Sequence, residues 1–162
     1  MHIDAEVQSL LQTTRVGMLA TLGETLPLAS AVPFVALDGW TDLLIHLSTL
    51  AAHTQNLLRD PRMSILLMEP DGAQKNPLAL RRLSLQGAAC RLNPNSPTYA
   101  ALARRYLDRF PDAHITMTLA DFQLWQLQLH AAQFIAGFGR AYMAERAHPL
   151  VWQHQGRRES KP

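Results

Sequence analysis

Between Phe122 and Leu129 the chain reads FQLWQLQL. Apolar and polar residues alternate there with a period of two, so the segment is a strand with one face on a core. The other apolar runs are as short, and turn formers punctuate them. RVGMLATL (Arg15 to Leu22) reads as a strand and GETLP as the turn after it. PLASAVPFVAL (Pro27 to Leu37) is a second strand, with Pro33 marking an edge or a bulge. The Asp-Gly of LDGW turns the chain into a third strand, DLLIHLS. Strands joined by such short turns form an antiparallel meander. RMSILLME and RRLSLQGAACRL add two more strands, and Phe134 to Met143 reads as a last one, bent at Gly137 and Gly139.

Helices enter singly. Val7, Leu10 and Leu11 make one apolar stripe behind Asp4, a plausible N-cap. A second helix runs from Leu50 to Arg59 and stops at Asp60-Pro61, because the residue before proline avoids the helical region. TYAALARRYLDRF is a third, amphipathic helix. No internal repeat and no regular strand–helix alternation occurs, so a doubly wound parallel sheet does not fit. The expected fold is mainly β: a small antiparallel barrel of six or seven strands with peripheral helices. One domain spans residues 1–147, and 148–162 form a loose polar tail.

The 162-residue chain is long enough to bury a core unaided. Its formal charge is +2, and QGRRESKP holds three of the basic residues, so the body is close to neutral. That excludes a dedicated nucleic-acid binder. No apolar run is long enough for a membrane span, and the N-terminus lacks the pattern of a secretory signal. The single cysteine, Cys90, fits a reducing compartment. The expectation is a cytoplasmic protein.

The stretch LSTLAAHTQNLLRDPRMSILL carries the first chemical signal. A helix start presents unpaired N–H groups and a partial positive charge, which suits an anion. Ser48 and Thr49 stand at that start, with His53 and Thr54 one turn further on. Simple capping also explains the hydroxyls, and on pattern alone it is the preferred reading. Arg62 can pair with Asp60 at the surface, while Arg81 or Arg82 can reach the same anion. Gly-Phe-Gly-Arg, Gly137 to Arg140, allows a bulge or a barrel-closing kink. It lacks the third glycine of a dinucleotide fingerprint. The seven histidines show no metal-ligand spacing, Cys90 lies among small apolar residues, and no side chain is marked as a catalytic acid or base.

PLASAVPF, the Leu47–Leu67 stretch, RRLSLQG and FIAGFGRAY, in that order, resemble the FMN-binding split-barrel family related to pyridoxamine 5′-phosphate oxidase. The likeness runs from about Val7 to Met143 and is greatest to the haem-utilisation branch. It implies a six-stranded antiparallel FMN-binding split barrel, a homodimer, and flavin at the interface touched by both subunits. Carried over, the phosphate falls to Ser48, His53 and Thr54, with Ser30 on the preceding strand and Arg82 on the strand after the long loop. Arg140, with Gly139, lines the ligand cleft. The implied function is an FMN-dependent oxidoreductase acting on a small molecule, the flavin supplying the chemistry. Haem or a deazaflavin are the alternative ligands. The strand ASAVPFVAL lacks the family's flavin-facing cations, and the Arg-x-His substrate element is missing, so vitamin B6 is not the expected substrate. In the alternative reading the barrel binds haem without flavin turnover, and His148 or His154 could ligate iron.

Overall fold

A computed structural model describes residues 3–73, 76–145 and 151–155. The elements in chain order are α1 (Ile3–Thr13), β1 (Val16–Leu22), β2 (Pro27–Ala36), β3 (Asp42–Ser48), α2 (Ala52–Arg59), β4 (Arg62–Met68), β5 (Arg82–Arg91), α3 (Tyr99–Arg109), β6 (Phe122–Ile135), β7 (Ala141–Glu145) and β8 (Gln153–His154). The sheet order is β3-β2-β1-β4-β5-β6-β7-β8, and β3 also pairs with β6. That pairing closes β1 to β6 into a six-stranded antiparallel barrel, the expected fold, and leaves β7 and β8 as an extension. None of the described helices is long and apolar enough to cross a membrane.

Closure depends on the length of β6. Its first half, the alternating segment, pairs with β3 from Phe122 to Gln128. Its second half pairs with β7 from Ala131 to Ile135. The chain between Phe134 and Met143 is therefore not one bent strand. Gly137 and Gly139 both take positive φ and make a hairpin turn. Residues 151–155, expected in a loose tail, also pack on the barrel. Gln153 and His154 pair with Met143 and Tyr142, and the Trp152 indole donates to Asp4 Oδ1 at 3.0 Å.

Leu19, Phe34, Ile45, Ile65, Leu85, Leu127 and Phe134 fill the barrel, with Val7 and Leu10 of α1 packed among them. A second cluster of Val35, Leu44, Tyr106 and Leu124 lies under α3. β3 is thus covered on both faces, which explains its unbroken buried run from Leu43 to Leu47.

His46 sits within that run. Its ring meets Tyr106 edge-on at 5.6 Å and Phe122 at 5.2 Å, and its Nδ1 lies 3.4 Å from Thr116 Oγ1. The Thr116 hydroxyl donates to Ala113 O at 3.0 Å, so the imidazole Nδ1–H is the donor to Thr116. Burial pushes the His46 pKa below its ordinary 6.5. A neutral folded form and a charged unfolded form mean full stability above pH 6.5. That stability is lost as pH falls from 6.5 through the folded value. His53 shifts the same way from burial. Urea midpoints measured from pH 7.5 down to 5 should fall, and His46→Leu should flatten the slope in part. An unchanged slope in the variant contradicts this account.

Candidate ligand-binding site

The passage from β3 to α2 is held by its own side chains. The Ser48 hydroxyl donates to Asp121 Oδ2 at 2.7 Å and accepts from the Leu50 N–H at 3.1 Å. The Thr54 hydroxyl is buried and donates to the Ser48 carbonyl at 2.7 Å. The Thr49 N–H donates to Asp121 O at 2.7 Å, and Gln55 Nε2 donates to the Thr49 carbonyl at 2.6 Å. The helix therefore starts at Ala52 rather than Leu50, and its cap residue is Ala51, with no capping side chain. Neither Ser48 nor Thr49 caps it. His53, half-buried, lies in the first turn, and burial favours its neutral form. The first turn carries no acidic residue.

Ser30 is half-buried on β2, in register with Leu19 of β1, so its side chain points to the barrel side of the sheet. α2 packs over β1 and β2, where Asn56 Nδ2 donates to Thr21 Oγ1 at 3.0 Å. Ser30 thus shares the α2 end of the barrel with Ser48, His53 and Thr54. No hydrogen bond joins it to them among the described residues.

The two arginines lie elsewhere. Arg82 opens β5 and pairs with Met68, the last residue of β4, whereas the α2 end of β4 is Arg62. Six residue steps at a strand's rise separate the two ends by about 20 Å. Arg82 is half-buried and makes no ion pair among the described residues, while Arg81 is held by Glu69 at 3.0 Å. Arg62 is engaged with Asp60, whose pKa the guanidinium pulls down to about 2.

Arg140 has a structural partner. Its Nη2 donates to Glu6 Oε1 of α1 at 2.9 Å, and Glu6 is 3% exposed. The carboxylate raises the Arg140 pKa above its ordinary value. A carboxylate buried that deeply depends on its counter-ion. Arg140→Ala should lower the thermal midpoint, and adding Glu6→Gln should recover part of the loss. A midpoint that does not move in the single variant contradicts this role.

Between the two ends runs the outer face of the sheet. Val16, Met18 and Leu22 of β1, Met68 of β4 and Met143 of β7 are all exposed there. Ala29 and Ala31 of β2 and Ala20 of β1 lie between them in register. A groove of about 240 Å³ opens at the α2 end, lined by Ala20, Pro27, Arg62, Ser64 and Gln86. A hollow of about 210 Å³ opens at the other end, beside Arg82 and the β6–β7 turn. No group of three or more His, Cys, Asp or Glu side chains that could hold a metal occurs among the described residues. Asp121 was not legible as a site residue, because its contact with Ser48 exists only once β3 and β6 pair.

A family profile described as pyridoxamine 5′-phosphate oxidase matches residues 3–136. The heme oxygenase HutZ of Vibrio cholerae is 29% identical over 144 residues, 87% of this chain and 80% of that protein. The chloroplastic non-canonical heme oxygenase HOZ of Arabidopsis thaliana is 28% identical over 85% of this chain and 41% of its own length. A heme binding protein from Mycobacterium smegmatis superposes with a TM-score of 0.78 at 32% identity, covering 90% of this chain and 58% of that one. The chain thus spans little more than half of the mycobacterial protein and less than half of the plant one.

Proposed function

The chain belongs to the pyridoxamine 5′-phosphate oxidase family, and within that family we propose that it is a haem-binding split barrel, acting as a homodimer with the ligand at the interface. The likeness to two heme oxygenases and a heme binding protein over at least 85% of the chain carries this reading. The β3–α2 passage supports it. A phosphate grip needs free donors and cations, yet Ser48 already donates to a carboxylate and Thr54 to a carbonyl. His53 is held toward neutrality there, and the nearby Arg59 and Arg62 are paired with Glu24 and Asp60. The outer sheet face offers what a porphyrin needs instead: flat apolar surface and a cation, Arg82, with no ion pair among the described residues.

Haem is here the substrate. An external electron donor and dioxygen would supply the oxidising equivalents for opening its ring, and the protein's part is to hold the ring and its acidic groups and to exclude water. His154, exposed on β8, is in register with Tyr142, which shares the barrel-side face with Phe134 and Leu83, so it stands on the face opposite Arg82 and does not reach a haem on the outer face of its own chain. His148 lies outside the described residues. Haem added to the protein should give a Soret band, and ascorbate in air should then bleach it. His154→Ala should leave the band's position unchanged. A Soret band that persists under ascorbate makes the protein a carrier, and no band at all removes haem.

A second reading keeps FMN, or a deazaflavin, as the ligand of an oxidoreductase. The observation favouring it is the start of α2, which has neither a capping side chain nor an acidic residue in its first turn.

A further inference from the structure

We propose that the hollow between α1 and α3 is a binding site for a small organic acid, in which Arg109 takes the carboxylate or phosphate and a short apolar part lies against Leu11, Val35 and Leu37. It shares no lining residue with the groove or the hollow of the outer sheet face, so it stands whichever ligand the barrel holds.

Two helix faces and a turn build the site. Gln8, Leu11 and Gln12 recur at i, i+3 and i+4 on α1, and Arg105 and Arg109 at i and i+4 on α3. Residues 35–39, where β2 runs into its turn, close the third side, and the space enclosed is about 270 Å³. Leu11 and Val35 are buried, so an apolar wall stands beside the charged one.

The charge of Arg109 has no counter-charge. Its Nη2 donates to the Leu11, Gln12 and Thr14 carbonyls at 3.4, 3.2 and 2.7 Å. That caps the last turn of α1, where unpaired carbonyls gather. Its Nε is buried with no hydrogen-bond partner. The other two arginines of α3 are neutralised, Arg104 by Asp108 and Arg105 by Asp38. Arg109 makes no ion pair among the described residues, and a second guanidinium opposes it. The Cζ atoms of Arg15 and Arg109 stand over the Phe110 ring, 5.1 and 5.9 Å from its centroid. Burial, and after it the Arg15 charge, push the Arg109 pKa below its ordinary value. The carbonyls of α1 carry only partial charge. A bound carboxylate or phosphate would offset the repulsion in full and engage the rest of the planar fork. The hollow is smaller than a drug-sized pocket, which limits the ligand to a few carbons and one acidic group.

The test titrates the intact protein with butyrate, butyl phosphate, 1-butanol and sodium chloride at constant ionic strength, read by thermal midpoint and calorimetry. At least one of the two acids should bind and raise the midpoint, and 1-butanol and chloride should not. The acid that binds more tightly identifies the head group. Arg109→Gln should weaken binding by at least about tenfold. Because Arg109 also caps α1, the deciding variant is Gln8→Glu, at an exposed position of α1. It places a carboxylate in the hollow from the chain itself. Its midpoint without ligand should exceed that of the wild type, and its response to either acid should be lost. Binding of either acid by Gln8→Glu within about twofold of the wild type refutes the site. So does a wild type that binds neither acid, or one that chloride stabilises as much as the acids do, which would be charge screening alone. None of these outcomes touches the haem reading, which the Soret band decides separately.

Discussion

In the proposed homodimer, Met18→Asp is expected to release a monomer of 18.1 kDa. Met18 stands in the middle of β1, in register with Ala31 of β2 and Leu66 of β4. It is 49% exposed in the single chain, among other exposed apolar side chains of the same face. A stable dimer buries about 1,600 Å² in all, and a sheet face of small and apolar side chains suits such packing. In the proposed dimer, a two-fold axis through that face would bury each introduced carboxylate in the interface. An unpaired charge there costs several kcal/mol, enough to shift dissociation by at least about a hundredfold. The folded monomer should survive, because the residue lies at the surface of the lone chain. Light scattering after size exclusion reads the mass, and haem affinity should fall with it by at least about tenfold. A wild-type monomer, or a variant that stays dimeric, contradicts the proposed interface.

Gly87→Ala is expected to be the most damaging single methyl in the chain. β5 and β6 pair from Arg82 to Arg91, and their register shifts at Gln86/Gly87, where Gln86 faces Ala131 but Gly87 faces Leu129. His130 is the extra residue of that bulge. A Cβ on Gly87 would stand 1.9 Å from the Gln128 carbonyl oxygen and 3.0 Å from Leu129 Cα. Both are backbone atoms, so no rotamer change relieves the clash. The two strands must part where β6 turns from serving β3 to serving β7. The cost should be at least about 3 kcal/mol of a typical total of about 5–15. The thermal midpoint should fall by about 6–12 °C. A fall of less than about 2 °C would mean the bulge adjusts freely.

The barrel was legible because its strands are short and separated by turn formers, and β1 to β5 lie within about a residue or two of their expected bounds, whereas β6 runs on to Ile135, past the alternating segment that ends at Leu129. Two elements were not. The Gly-Phe-Gly-Arg segment looks the same in sequence whether it kinks one strand or joins two, and only the pairing of Ala131–Ile135 with Ala141–Glu145 decides it. β8 holds two polar residues and has no periodicity to read. Site residues were harder, because their partners are distant in the chain. Ser48 meets Asp121 across 73 positions, and Arg140 meets Glu6 across 134. Hydroxyls that suggest an anion site in sequence turn out to hold the β3–α2 passage together. The outer sheet face has no motif at all. It is a set of every-second residues on several strands, visible only after register is known.

Haem and FMN offered together, at equal concentration and in excess, followed by desalting and an absorbance spectrum of the recovered protein, decide which ligand the barrel holds. A haem-binding barrel retains a Soret band and shows little flavin absorbance. A yellow protein with the flavin bands and no Soret band would contradict it, returning the α2 turn to a phosphate grip and the protein to the flavin oxidoreductases.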